Sequence, residues 1–72
     1  MSASSLLQSS ARLALRQSSI PALRKLRVEE NDVDLVLTGA VTSYYLKQLA
    51  QETVMPFLGD RQLLNQVVVI NR

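Results

Sequence analysis

Between residues 33 and 57 the spacing of apolar side chains changes once, and the change falls at a single glycine. Val33, Leu35 and Leu37 alternate with Asp34, Val36 and Thr38, the period of a strand with one buried face. Beyond Gly39, residues 43 to about 57 place Leu46, Leu49, Ala50, Thr53, Val54 and Phe57 on one helical stripe. Tyr44, Gln48, Gln51 and Met55 form the outward line of that helix. Thr42 or Ser43 supplies its N-cap, and Pro56 removes a backbone donor, so the last turn kinks or stops before Gly59 and Asp60. A final strand is expected over residues 62–71, within "LLNQVVVIN". A helix between two strands makes a right-handed crossover, so those strands run parallel.

Upstream of this unit, residues 23–30 read as another strand, with Leu26 and Val28 alternating against Arg27 and Glu29. Asn31 and Asp32, residues that tolerate left-handed backbone, turn it into an antiparallel hairpin with 33–38. Residues 4–18 are expected to form a leading helix that ends at Ser18-Ser19-Ile20-Pro21. On a helical wheel Leu6, Leu7, Ala11, Ala14 and Ser18 share one side with Leu13 at its margin, and Ser5, Ser9, Arg12 and Arg16 lie opposite. Serine is a mediocre helix former, so this helix depends on tertiary packing. The order helix-strand-strand-helix-strand predicts an α/β two-layer sandwich. It consists of a three-stranded mixed sheet, the second strand central, with both helices on one face.

A chain of 72 residues makes one small domain with a limited core. It contains neither cysteine nor histidine, which removes disulfides, thiolate metal sites, the usual nucleophilic dyads and the commonest general base. Charge is unevenly placed. Arg12, Arg16, Arg24, Lys25 and Arg27 precede any acid, whereas all six acids lie from Glu29 onward. Such a basic first third suits a membrane surface, nucleic acid or a targeting peptide, against the simpler reading of a solvated face. The opening "MSASSLLQSSARLALRQ" lacks the basic start and unbroken apolar stretch of a secretory signal, and resembles an organelle transit peptide in composition only. The longest uncharged run after it, Leu35–Leu46, is too short to span a bilayer.

Two apparent sites reduce to structure. Strand, glycine and helix start is an arrangement that holds phosphate in many proteins, but such a cradle needs several free amides and usually more than one glycine. Gly39 stands alone and reads as the pivot of a corner, and Gly59 as a turn. "EENDVD" lacks the turn glycine and closing acid of a calcium loop and reads as a solvated hairpin. No metal, cofactor or catalytic group is expected.

The spacing "LVLTGAVTS" resembles the core of the BON domain family, as does "FLGDRQLLNQVVV", where Asn65 follows Gly59 and Leu63, Val67 and Val69 flank it at even spacing. The resemblance covers roughly residues 20–72. Val33 stands where many members have a hairpin glycine, and Asp60 where an apolar residue is usual. The resemblance implies a non-catalytic module that contacts phospholipid or partner proteins in bacterial envelopes. An envelope or periplasmic location rests on it alone; a complete chain without a signal would be cytoplasmic.

Two surfaces are candidates for binding. Arg12, Arg16, Arg24, Lys25 and Arg27 suit anionic lipid headgroups or a partner. Nucleic acid competes for these charges but is disfavoured, because there is no GxxG loop and the first strands carry no aromatics. If Leu63, Val67 and Val69 face the helices, then Leu64, Val68 and Ile70 face outward beside Val36. Those four aliphatic side chains are the alternative, a surface for protein partners or homo-oligomerisation.

Overall fold

The computed structural model describes residues 10–70. Its elements are α1 (Ser10–Arg16), α2 (Pro21–Arg24), β1 (Arg27–Glu30), β2 (Asp34–Thr38), β3 (Ala40–Val41), α3 (Tyr44–Val54), a 3₁₀ turn (Met55–Phe57), β4 (Gln62–Asn65) and β5 (Val68–Val69). The protein is a small α+β domain. β2 is central, antiparallel to β1 and parallel to β4, and β3 pairs with β5 in a second, parallel two-stranded sheet.

Helices and sheet enclose one apolar core. Ala11 and Leu15 of α1, Leu23 of α2, Val28, Leu35, Leu37 and Val41 of the strands, and Ala50 and Val54 of α3 are all buried, joined by Leu26 and Val67. Leu35 and Leu37 are fully buried, as their alternation predicts. Ser43 is extended and its hydroxyl accepts the Leu46 N–H, so the expected cap starts α3.

Several boundaries differ from expectation. The strand expected at 23–30 begins only at Arg27, because Pro21 takes the first position of a short helix behind an extended Ile20. Proline both ends one helix and starts the next, its fixed φ suiting the first turn. Of the leading helix, residues 4–9, with Leu6 and Leu7, lie outside the described residues. Within the remainder Leu15 is buried and Leu13 is about half exposed, so the inward stripe runs through Ala11 and Leu15. The hairpin uses no left-handed Asn31 or Asp32. Instead the Asn31 side chain accepts the N–H groups of Val33 and Asp34, which leaves Val33 exposed ahead of the strand. Phe57 leaves the buried stripe of α3, since the 3₁₀ turn at Pro56 winds more tightly and shifts its phase.

The strand expected at 62–71 is interrupted. Asn65 turns its side chain inward, donating from Nδ2 to the Lys47 carbonyl and Gln51 Oε1 of α3, while Oδ1 accepts the Val67 N–H. Opposite this break lies Gly39, with φ +127°. That conformation favours glycine, and an added Cβ would also sit 2.7 Å from Leu26 Cδ2 and force the end of that side chain to shift. Register nevertheless survives: Asp34 faces Gln62 and Ala40 faces Val68, the same offset on both sides. Gln66, Val68 and Ile70 donate in turn to the carbonyls of Leu37, Gly39 and Val41. The two sheets are thus one strand pair with a local fault. Gly39 is a corner between β2 and β3, separated from α3 by further strand residues, and the helix start is closed by its own Ser43.

Candidate functional site: a basic depression at the sheet edge

Arg12 and Arg16 are one helical turn apart on α1, which brings both guanidinium groups to the side facing β1. Arg24 ends α2, and its Nη1 donates to the Ser18 carbonyl at 2.8 Å, tying α2 to the end of α1. Arg27 opens β1, pointing outward because its neighbour Val28 points in. These four arginines line one open depression of about 390 Å³ together with Leu26, Val28 and Glu29. Lys25, exposed at the C-cap of α2, is not part of that lining.

Arg12 also braces the fold, since its Nη2 donates to the Val28 carbonyl at 3.1 Å and bridges helix and strand. Asn31 donates to the Asp34 carbonyl, so alternation makes Glu29–Val36 and Arg27–Thr38 the hydrogen-bonded pairs and turns the Val28 backbone to the outer edge. Arg12 therefore covers an edge carbonyl that would otherwise face water. None of the four arginines makes an ion pair among the described residues; Arg61 and Glu30, at 2.8 Å, form the ion pair found there. Glu29 is the residue that sequence reasoning misses. Its alternation with Arg27 on β1 is the available signal, since residues two apart on a strand share a face. It puts one carboxylate among four guanidinium groups and lowers the local positive potential.

The aliphatic candidates run across the same outer face of the sheet, since Val36 is the cross-strand partner of Glu29. Val36 and Leu64 are directly opposite one another on β2 and β4 and are half-buried, while Val68 and Ile70 are 59% and 46% exposed. A second, smaller depression of about 220 Å³ lies between α1 and the 3₁₀ turn, lined by Ser10, Leu13, Ala14, Gln17 and Phe57. No helix among the described residues is long and apolar enough to cross a membrane.

Fold and site together define a small α+β domain with an arginine-lined depression on one sheet edge. The chain matches no known family model, no curated protein and no solved structure.

Proposed function

We propose that this domain is a non-catalytic binding module that meets anionic phospholipid headgroups through the arginine-lined depression at β1. The observation that carries the reading is the convergence of Arg12, Arg16, Arg24 and Arg27, from three elements, on one open surface. A solvated charged face needs no such gathering, and guanidinium forks suit phosphate oxygens. The absence of histidine and cysteine disfavours the commonest forms of catalysis.

Each basic side chain near an anionic surface contributes about 1 kcal/mol, so four supply at most about 4 kcal/mol, roughly three decades in partition. Arg16 and Arg27 are the residues to test, because neither side chain donates a hydrogen bond among the described residues. Replacing both with glutamate is expected to weaken partition onto phosphatidylserine-containing vesicles at least about 30-fold. Glu29→Gln should strengthen it by about fivefold, the opposite sign. Binding unchanged by the double reversal would remove the depression as the working surface.

A further inference from the structure

The two edges of the sheet are finished in opposite ways. The β1 edge carries Arg27, Glu29 and Glu30, and its outward Val28 carbonyl is held by Arg12. On the far side, Gln62, Gln66, Val68 and Ile70 all donate their N–H groups inward, to the carbonyls of Val33, Leu37, Gly39 and Val41. Alternation of the strand backbone then turns the N–H and C=O groups of Leu63, Asn65, Val67 and Val69 to the open side. Of these donors, Val67 is satisfied by Asn65 Oδ1. Among the described residues no strand pairs with that side of β4 or β5.

Edge strands are usually protected by charge, proline or a strong bulge. From Gln62 to Ile70 this edge has no charged residue, no proline and no glycine; the fault at Gln66-Val67, where Asn65 takes the Val67 N–H, is its one interruption, and it ends in Val67-Val68-Val69-Ile70. Val68 and Ile70 are exposed beside it. Unpaired edge amides and carbonyls ask for a strand, not merely for an apolar cover.

We propose that this edge pairs, antiparallel, with the same edge of a second copy of the chain. Identical strands can face each other only if they tolerate their own image, and like charges directly opposite are destabilising. The β4–β5 edge meets that condition because it is uncharged. The β1 edge does not, since it would oppose one basic depression to another. A two-fold axis perpendicular to the sheet joins the two into a continuous sheet, keeps the helices of both copies on one face, and draws the exposed Val68 and Ile70 of each toward the junction. Pairing along so short an edge buries less than the roughly 800 Å² per partner of a standard interface, so the dimer is weak, with Kd between about 10 µM and 1 mM. Because the arginine depressions lie on the opposite edges, the dimer carries one at each end. Only the avidity that follows from this rests on the proposed lipid contact.

Sedimentation equilibrium of the full chain from about 1 µM to about 1 mM, without lipid, tests the dimer alone. The average mass should climb from monomer toward dimer, and amide exchange at Leu63 and Val69 should slow as concentration rises. Val68→Lys changes an exposed side chain, and Val69→Pro removes an outward N–H; each should raise the dimer Kd at least about tenfold with an unchanged circular dichroism spectrum. Glu29→Lys, on the other edge, should leave the Kd unaltered. A wild-type monomer at every concentration would overturn the proposal. So would a dimer indifferent to Val68→Lys, or one lost on changing Glu29.

Discussion

Asn65 is half-buried and uses both ends of its amide, donating to the Lys47 carbonyl and Gln51 Oε1 and accepting from Val67. Leucine of similar volume would leave the Val67 N–H without its partner, so Asn65→Leu is expected to cost about 1–3 kcal/mol in chemical denaturation. The two glycines separate conformation from crowding. Both have positive φ, but a Cβ at Gly59 meets nothing within 4 Å, whereas one at Gly39 runs into Leu26. Gly59→Ala should therefore cost about 1 kcal/mol and Gly39→Ala about 2–3 kcal/mol, measured by the same denaturation. Gly39 is legible as a pivot because the apolar period changes there. Its contact with Leu26 is not, since that contact joins residues far apart in the chain.

Among elements, α3 is the most legible. Its period, its Ser43 cap and the effect of Pro56 are all local, and local chemistry decides them. Ser43→Ala removes the bond to the Leu46 N–H and should cost about 1 kcal/mol, seen as lowered helix content at intermediate urea as well as a lower midpoint. The final strand is less legible. "LLNQVVVIN" reads as one largely apolar strand with a polar pair, Asn65-Gln66, inside it, and the fault at Gln66-Val67 comes from Asn65 reaching across to α3, a contact between distant parts of the chain that no periodicity reveals. Pro21 carries two signals, a stop for the helix before it and a start for the helix after it. Weighing only the stop extends the first strand back over α2, where the chain is in fact helical. Five basic residues are legible as a cluster in sequence, but topology selects four of them and adds Glu29.

At the scale of the whole molecule, the sheet separates two kinds of edge. The order β1-β2-β4 puts the arginine depression on one side and the uncharged valine-rich edge on the other. Basic charge is held near α1, α2 and β1, where Arg12 serves the fold and the site together. Arg12→Ala should therefore lose both stability, by about 1–2 kcal/mol for a hydrogen bond from a charged donor, and lipid binding. Arg16→Ala should weaken lipid binding alone, by about fivefold. That split, read by denaturation beside vesicle partition, distinguishes a residue that builds the edge from one that only lines it.

The central claim is that this basic edge works by electrostatic contact with anionic headgroups. Flotation of the purified chain with phosphatidylcholine vesicles and with phosphatidylserine-containing vesicles, each at about 0.1 M and 1 M salt, tests it most directly, since the screening length falls from about 10 Å to about 3 Å. The predicted result is binding to the anionic vesicles at low salt and its loss at high salt, with none to the neutral ones. Equal binding to both vesicle types, or none under any condition, would contradict it.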